Sequence, residues 1–243
     1  MVKVVAVTGS SGSIGRVLIK VLKNNSFKVI EGNSKNVDIT KIEKVEKFVK
    51  KCDVLIHLAV YQNIFDDNYC NFEKVNVEGT KNVLEMCKKY QKKVILFSSE
   101  VVFRNSSDLY SKSKKSQLLI AKNYKNVEII YPPVVLNLSQ KIPWWKLMPG
   151  GIMASVGNGQ KKINYIDVNK LCLFVVDLLN LNKKKNLKIE TASREEYLLR
   201  INKLIGGLRM PFRIPIFFIK FILFFLRKTK YKLLLESILE NEK

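Results

Sequence analysis

The sequence is poor in histidine, cysteine and acidic side chains, and these shortages exclude several classes of function. Its 243 residues contain one histidine and four cysteines, with no CxxC pair. Structural zinc sites need several such ligands at short spacings, so the sequence predicts no metal site. We interpret the cysteines as buried, reduced thiols of a cytoplasmic protein. They are Cys52, Cys70, Cys87 and Cys172.

Acidic residues are half as numerous as basic ones, which gives a formal net charge of +22. The lysines are spread over the whole chain, so we interpret them as a solvated basic surface and predict no nucleic-acid partner. The hydrophobic fraction of 47% is enough for a sizeable core. The apolar start at residues 1–7 is short and has no cleavage pattern, so we expect no secretory signal.

Apolar strand-like runs alternate with amphipathic helical patterns in the first part of the chain. This alternation predicts an α/β fold with a doubly wound parallel sheet, a Rossmann architecture, and a small C-terminal substrate lobe. We predict a dinucleotide-binding domain at 1–133, with its sheet completed by parts of 160–192, and a lobe at 134–243 that ends in an apolar helix. Within that lobe we expect irregular structure over 134–160 and helices at 168–179 and 191–205.

Three glycines, Gly9, Gly12 and Gly15, lie between the first predicted strand and the first predicted helix. In this place the first glycine permits a tight turn, the second lets the backbone approach a pyrophosphate, and the third lets the helix pack closely. The helix N-terminus then offers N–H groups and partial positive charge to the anion. The loop therefore predicts dinucleotide binding.

The spacing T-G-x-x-G-x-x-G resembles the extended short-chain dehydrogenase/reductase family, in its NAD-dependent epimerase/dehydratase (nucleotide-sugar) branch. Four further segments share the resemblance, in order along the chain: DVLIHLA at 53–59, NVEGTKNVL at 76–84, SSEVVF at 98–103 and NYIDV at 164–168. The cofactor contacts that the resemblance implies include the glycine loop, both sides of the cleft and the helix after the catalytic strand. They are Thr8, Gly9, Ser11, Gly12, Ser13, Ile14, Gly15, Asn33, Lys35, Asp38, Ile39, Leu58, Ala59, Asn76, Ser98, Tyr110, Lys114 and Pro132.

The choice of dinucleotide depends on the residue that ends the second strand. By register this is Asn33, followed by Lys35, and a missing carboxylate beside a cation favours NADP over NAD. Glu31 is the competing candidate if the register slips by two. Asp38 resembles an adenine-contacting residue of the family, and the alternative is that it begins the next helix at Thr40.

The catalytic trio implied by the resemblance is Ser99, Tyr110 and Lys114. The spacing Tyr-x-x-x-Lys places phenol and ammonium on one helix face. A nearby ammonium favours the phenolate, so Tyr110 would exchange a proton with substrate, while Ser99 orients the substrate oxygen. We expect His57, inside an apolar strand, to be structural.

These features predict an NAD(P)-dependent epimerase/dehydratase-type enzyme that acts on a nucleotide-linked sugar. SSEVVF at 98–103 also resembles the dTDP-4-dehydrorhamnose reductase branch, so reduction of a keto-sugar is the closest alternative. The loop at 100–109 is shorter than in relatives, which favours a non-catalytic dinucleotide sensor or membrane-side scaffold as an alternative of another class.

An apolar segment near the C-terminus, 216–226, holds five phenylalanines. As a helix it would span about 16 Å, short of the roughly 30 Å hydrocarbon core, so we do not expect it to cross a membrane. With its basic flanks, residues 213–232 would either contact the inner membrane face or pack on the lobe or in a homodimer. Trp144 and Trp145 would pack the lobe or stack on a base, and Lys161 is a candidate phosphate ligand.

Overall fold

A computed structural model describes residues 3–63, 66–106, 108–137, 154–156, 160, 162–180, 189–193, 212–217 and 220–221. The chain divides into two compact units. The first contains Met1–Asn63, Asn68–Pro133 and Asp167–Leu187. The second contains Ile64–Asp67, Val134–Ile166 and Lys188–Lys243. Trp144, Trp145 and Lys161 lie outside the described residues, as does most of the apolar segment.

Five parallel strands form the sheet of the first unit, in the order β2-β1-β3-β4-β5. They are β1 (Val4–Thr8), β2 (Lys28–Gly32), β3 (Val54–His57), β4 (Lys93–Phe97) and β5 (Val127–Ile130). The chain leaves β1 toward β2 on one side and later returns to β3 on the other, so the strand order reverses between β1 and β3. Ligands of doubly wound sheets bind at this switch point, outside the carboxyl ends of the strands. The predicted fold class is confirmed.

Helices connect the strands and cover the sheet. They are α1 (Ser13–Asn24), α2 (Ile42–Val49), α3 (Tyr69–Phe72), α4 (Thr80–Lys89), α5 (Leu109–Ala121) and α6 (Val168–Asn180). A π-helical segment, Glu73–Gly79, joins α3 to α4, and a 3-10 turn, Glu100–Phe103, follows β4. Helix α1 packs against α6, and α2 packs against α4.

The strands bury alternate side chains on the two faces of the sheet. Ala6, Leu55 and Leu96 belong to one core cluster with residues of α2 and α4, including Val45 and Leu84. Their strand neighbours, such as Val7 and Ile56, are equally buried but lie outside that cluster. Side chains of a strand point alternately to opposite faces, so both faces are covered, as the continuous apolar runs predict.

The second unit contains short strands. β6 (Val134–Leu136), β8 (Lys162–Asp167) and β9 (Glu190–Ser193) form one sheet, and β7 (Ala154–Val156) pairs in parallel with β10 (Phe212–Ile214). Two predictions are therefore corrected: 134–160 contains strands, and 191–205 begins in a strand instead of a helix. In both places pairing with distant segments determines the structure, as in the antiparallel register of Tyr165 with Glu190.

Parts of 160–192 do not complete the five-stranded sheet, contrary to prediction, within the residues that the structure describes. β8 and β9 pair with each other instead, and β6 lies beside β8. The contribution of this region to the first unit is α6, close to its predicted bounds. Helix α6 is capped by Asp167, whose carboxylate accepts from the backbone of Asn169 and Lys170.

Three of the four cysteines are buried, and all four are free thiols. Burial raises the pKa of Cys52 to about 11 and that of Cys87 and Cys172 to about 12. These thiols are therefore protonated at neutral pH and unreactive. Cys70 departs from the prediction, because it is exposed beside the N-terminus of α3.

Candidate functional site

The glycine loop connects β1 to α1 at the switch point, and two of its glycines are required by close backbone contacts. Gly9 has a φ of +70°, and a Cβ there would lie 2.7 Å from the backbone nitrogen of Ala59. A Cβ on Gly15 would lie 2.4 Å from the carbonyl oxygen of Gly9. Gly12 is exposed, and a Cβ there would approach the Gly9 carbonyl oxygen to 3.2 Å. Gly12 therefore has the most open surroundings of the three.

The N-terminus of α1 is open toward solvent. Ser11, Gly12 and Ser13 are exposed, no described side chain caps the helix at Gly12, and its first turn holds no acidic residue. Arg16 donates from Nε to the carbonyl oxygen of Ser11 at 2.7 Å, which places a guanidinium beside the loop. Free N–H groups, the helix dipole and a nearby cation together favour an anion at this position.

The turn after β2 is held by its own side chains. Asn33 directly follows the strand, as the predicted register requires; its backbone N–H donates to Asn36 Oδ1 at 2.7 Å, and its Oδ1 accepts from the Lys35 N–H at 2.9 Å. The competing candidate Glu31 forms an ion pair with Lys23 at 2.8 Å. Asn33 and Lys35 are therefore the residues that the fold places at the end of β2.

Asp38 and Ile39 have mainly local structural roles. Asp38 Oδ1 accepts from both the N–H and the hydroxyl of Thr40, and the hydroxyl bond is the largest cause of a lowered pKa for this carboxylate. The Ile39 side chain is buried in the core, where it leaves room only for a glycine at Gly79. The bonds of Asp38 agree better with the alternative, a polar residue before the next helix, although α2 begins at Ile42. The buried side chain of Ile39 is not placed to contact a cofactor.

The predicted trio comes together at the carboxyl end of β4. Ser99 hydrogen-bonds the phenol of Tyr110, and its Oγ also accepts from the Val101 N–H at 3.3 Å. Lys114, one turn further along α5, donates from Nζ to the carbonyl oxygen of Phe97 at 2.9 Å. One strand end thus fixes both the tyrosine and the lysine.

Both titratable members of the trio have shifted pKa values. Desolvation raises the pKa of Tyr110 to about 12, opposed by the hydrogen bond with Ser99. Desolvation also lowers the pKa of Lys114 to about 7, since the side chain is only 2% exposed. The expected effect of the ammonium, which favours the phenolate, does not dominate here: desolvation keeps the phenol of Tyr110 protonated at neutral pH.

Lys114 belongs to a buried chain of hydrogen bonds that crosses the site. Its Nζ donates to Gln117 Oε1 at 2.7 Å, and Gln117 Nε2 donates to the Thr80 hydroxyl at 2.7 Å. The ring of His57 lies between two hydroxyls, with Nε2 3.0 Å from Thr80 and Nδ1 2.7 Å from Thr8. Thr8 also accepts from the Ala59 N–H at 3.3 Å.

Thr8 and His57 have structural roles in this chain. Thr8 is 1% exposed, and its hydroxyl bonds His57 and the Ala59 N–H, so its side chain supports the loop; its cofactor contact stays a prediction. His57 is structural, as predicted, and its ring is held by the hydroxyls of Thr8 and Thr80. Burial lowers the pKa of His57 to about 3, so the ring is neutral.

The Asn76 side chain links the π-helical segment to Tyr61 and to α5. Its amide is completely buried in the π-helical segment; Oδ1 accepts from the Tyr61 N–H at 2.7 Å, and Nδ2 donates to the Tyr61 carbonyl oxygen and to Ser113 Oγ, each at 2.9 Å. Ser113 in turn donates to the Tyr110 carbonyl oxygen at 2.7 Å. Both amide hydrogens are thus engaged internally, and the cofactor contact of Asn76 stays a prediction.

The remaining predicted contacts line the same end of the sheet. The backbone of Leu58 and Ala59 lies against Gly9. Pro132 is buried, and its carbonyl oxygen accepts from the Glu100 N–H at 3.1 Å. Ser98 is 5% exposed, and its Oγ is the one buried side-chain oxygen or nitrogen without a hydrogen-bond partner in the described part of the chain. A buried hydroxyl without a partner is costly unless a ligand satisfies it.

Several residues that build the site were missed from the sequence. Thr80 and Gln117 complete the buried chain of hydrogen bonds. The Tyr61 backbone is hydrogen-bonded by the Asn76 side chain, and Arg16 lies beside the glycine loop. Arg16 could have been found, since it directly follows Gly15 on an amphipathic helix. Thr80 and Gln117 are harder to find, because the hydrogen bond between them joins residues 37 positions apart in the chain.

Neither a metal site nor a membrane span is found in the described ranges. They contain no group of three histidine, cysteine or acidic side chains that could hold a metal ion. None of their helices is long and apolar enough to cross a bilayer.

Comparison with known proteins assigns the first half of the chain to a family. The family model described as the RmlD substrate binding domain matches residues 3–117, which include the glycine loop, β1 to β4, Ser99, Tyr110 and Lys114. Over residues 3–117 the chain is similar to this family, which fits the extended short-chain dehydrogenase/reductase resemblance. The resemblance stated from the motifs is thus confirmed.

Two characterised relatives of this family share about a third of their length with the chain. The dTDP-4-dehydrorhamnose reductase of Mycolicibacterium smegmatis is 30% identical over 105 residues, which are 42% of this chain and 32% of that protein. The dTDP-D-glucose 4,6-dehydratase of Dictyostelium discoideum is 30% identical over 182 residues, covering 63% of this chain and 39% of that protein.

Solved structures of the family share the fold over most of the chain. The dTDP-4-dehydrorhamnose reductase of Bacillus anthracis, in complex with NADP, has a TM-score of 0.75 and 17% identity, covering 88% of this chain and 85% of that one. The UDP-glucuronic acid 4-epimerase of Bacillus cereus, in complex with NAD, has a TM-score of 0.70 and 17% identity, covering 87% of both chains. At such identities the likeness shows the fold alone.

Proposed function

We propose that the protein is an NAD(P)-dependent oxidoreductase that acts on a nucleotide-linked sugar through Ser99, Tyr110 and Lys114. One observation carries the proposal: an open glycine loop follows β1, and Ser99, Tyr110 and the tethered Lys114 follow β4, at the carboxyl end of the same parallel sheet. The relatives are named for activities on dTDP-4-dehydrorhamnose and dTDP-D-glucose, which supports a nucleotide-sugar substrate.

The residues present fit a pyridine dinucleotide. The open N-terminus of α1, with exposed Ser11, Gly12 and Ser13, would hold the diphosphate. The unpartnered Ser98 hydroxyl is a further group that a bound dinucleotide would satisfy. The end of β2 offers no carboxylate for a ribose, because the residue there is Asn33. Two cations, Lys35 and Arg16, are available for a 2′-phosphate, so we favour NADP over NAD.

The chain's own residues supply the proton chemistry. A bound nicotinamide would exchange a hydride with a carbon of the sugar. Tyr110 would donate a proton to the oxygen on that carbon, or accept one from it, and Ser99 would hold the same oxygen. Lys114, fixed by Phe97 and Gln117, would direct its remaining N–H toward the cleft.

The protonated state of Tyr110 favours one of the two candidate directions. A phenol with a pKa of about 12 carries its proton at neutral pH and can give it at once to a carbonyl oxygen. Reduction of a keto-sugar needs this donation, whereas epimerisation and dehydration begin with removal of a hydroxyl proton. Within the proposed class we therefore favour a keto-sugar reductase over an epimerase or dehydratase.

The proposal is tested with purified wild-type protein and the variant Tyr110→Phe. Binding of NADPH and NADH is followed by fluorescence, and turnover is followed with dTDP-4-dehydrorhamnose, dTDP-D-glucose and UDP-glucuronic acid. We expect Tyr110→Phe to lose at least about a hundredfold in turnover, the range of general acid catalysis, while binding NADPH within about threefold of wild type. Tyr124→Phe, a tyrosine that precedes β5 away from the site, is the matched control.

Three outcomes separate the alternatives. Equal turnover in Tyr110→Phe and wild type rejects the mechanism. NADPH binding without turnover of any nucleotide sugar supports the non-catalytic sensor instead. No affinity for either dinucleotide in folded protein rejects the whole proposal.

A further inference from the structure

The buried chain of hydrogen bonds from Lys114 to Thr8 contains no charged side chain beyond the lysine. The proposed catalytic roles do not explain this feature. The lysine is 2% exposed, and its Nζ donates to two neutral acceptors, the Phe97 carbonyl oxygen at 2.9 Å and the carboxamide oxygen of Gln117, Oε1, at 2.7 Å. A buried ammonium usually lies beside a carboxylate, because an unpaired charge is costly to desolvate. Here the carboxamide takes that place.

We propose that Gln117 is the positioning residue of Lys114, and that the chain through Thr80, His57 and Thr8 links this lysine to the dinucleotide loop. The proposal rests on the proposed function for its catalytic meaning. Its structural content, a neutral acceptor that directs the amine and leaves its charge uncompensated, stands on the contacts alone.

Gln117 is suited to this task because its own amide is fixed at the other end. Its Nε2 donates to the Thr80 hydroxyl at 2.7 Å, so Oε1 must face Lys114. Thr80 is completely buried and is held by the His57 ring. The orientation of the lysine therefore depends on a sequence of side chains that ends at Thr8, beside Gly9.

The groups around Lys114 leave it without a counter-charge in the described residues. On β3 the titratable neighbour is His57, which is neutral, with its pKa lowered by burial and by Lys114. On α5 itself Tyr110 is protonated, with Asp108 beyond it at the N-cap. Desolvation thus lowers the pKa of Lys114 to about 7, and the amine would change charge in the physiological range.

The substitution Gln117→Glu tests the role directly, because it keeps the size and the acceptor atom but adds a carboxylate. An opposite charge in contact favours the ammonium, so the titration midpoint of Lys114 should rise by at least about one pH unit. The measurement is the ¹³Cε resonance of labelled lysine against pH, with the Lys114 signal assigned by its loss in Lys114→Arg. Gln91→Glu, an exposed glutamine in the turn before β4, adds the same charge elsewhere.

A second reading comes from the single histidine of the chain. In Gln117→Glu the Thr80 hydroxyl must donate to the new carboxylate, so His57 must donate to Thr80 through Nε2–H. The ¹⁵N spectrum of the histidine in Gln117→Glu should then show only the Nε2–H tautomer. The spectra of wild type and Gln91→Glu should be the same as each other. If the wild type already contains only the Nε2–H tautomer, the titration of Lys114 is the measurement that decides the role of Gln117.

The results have distinct meanings. A Lys114 midpoint near 7 in wild type and Gln91→Glu, raised in Gln117→Glu, supports the positioning role, and the pH profile of any turnover should move in the same direction. The same midpoint in wild type and folded Gln117→Glu overturns it. Since the titration needs no dinucleotide, failure of NADPH binding rejects the proposed function without deciding this inference.

Discussion

His57 shows how a single side chain links stability to pH. Its ring is 1% exposed between the hydroxyls of Thr8 and Thr80, and burial lowers its pKa to about 3. In the unfolded chain the same group titrates near its ordinary value of 6.5. Between these values the unfolded state binds a proton that the folded state does not, so acid favours unfolding.

We therefore expect the free energy of unfolding to fall by about 1.5 kcal/mol between pH 6.5 and pH 5, and to be unaffected by this group above pH 7. Urea unfolding at several pH values measures the slope. The carboxylates with lowered pKa, Asp38 and Glu46, contribute only below this window, and Lys114 is already protonated within it. His57→Gln should remove the slope; an unchanged slope in that variant contradicts the assignment.

Asn76 shows why some residue roles could not be read from the sequence. The motif that contains it was predictable, and so was its helix, but the π-helical segment Glu73–Gly79 adds a residue to the turn and changes which side chains face inward. Its amide consequently meets Tyr61 and Ser113 instead of the cleft. By contrast, Ser99 and Tyr110 were predictable, because the strand end and the following helix place them together.

At the scale of elements, β1, the glycine loop and α1 form the part of the site most completely determined by local sequence. The strand is a β-branched run, and the loop glycines are needed because backbone atoms of Gly9, Leu58 and Ala59 meet there. The strands β6, β7 and β9 could not be predicted in the same way. They are three or four residues long, and partners far away in the chain define them.

The geometry of the glycine loop predicts that Gly15 and Gly12 have different roles, with Gly15 more important for stability. In Gly15→Ala the new Cβ would lie within 2.8 Å of two backbone oxygens, so α1 must shift, at a cost of about 1–3 kcal/mol. In Gly12→Ala the Cβ meets one oxygen at 3.2 Å and φ is −72°, so stability should change by less than about 1 kcal/mol.

Dinucleotide binding should show the opposite sensitivity. On the proposed function, the methyl of Gly12→Ala stands where the diphosphate approaches the helix N-terminus, and we expect at least about tenfold weaker NADPH binding. Thermal unfolding and fluorescence titration of both variants give the comparison. If Gly12→Ala binds NADPH as tightly as wild type does, the diphosphate does not bind at this helix N-terminus.

At the scale of the whole molecule, similarity to known proteins is uneven along the chain. Residues 3–117 carry the family match, and the chain spans 32% and 39% of the two curated relatives. The first unit holds every described candidate catalytic residue, whereas the strands described in the second unit are short. The expected homodimer stays a prediction, which sedimentation of the purified protein would measure.

The basic, aromatic segment near the C-terminus gives the last prediction. Phe217 is 71% exposed and Phe221 60% exposed, and the sequence surrounds them with Arg213, Arg227, Lys228, Lys230 and Lys232. Exposed aromatic rings insert at a bilayer interface, and each nearby cation adds about 1 kcal/mol of attraction to an anionic surface. We expect the protein to float with anionic vesicles at low salt, and less at high salt, where the charges are screened.

The double variant Phe217→Ser/Phe221→Ser separates insertion from attraction by charge, because it keeps all the basic residues. It should lose most of the flotation, whereas Phe103→Ser, which removes an equally exposed ring of the first unit, should float as wild type does. Flotation that is equal in the double variant and the wild type would assign membrane binding to net charge alone. Wild type that stays at the bottom of the gradient at low salt would contradict the membrane prediction and favour packing of these rings against protein.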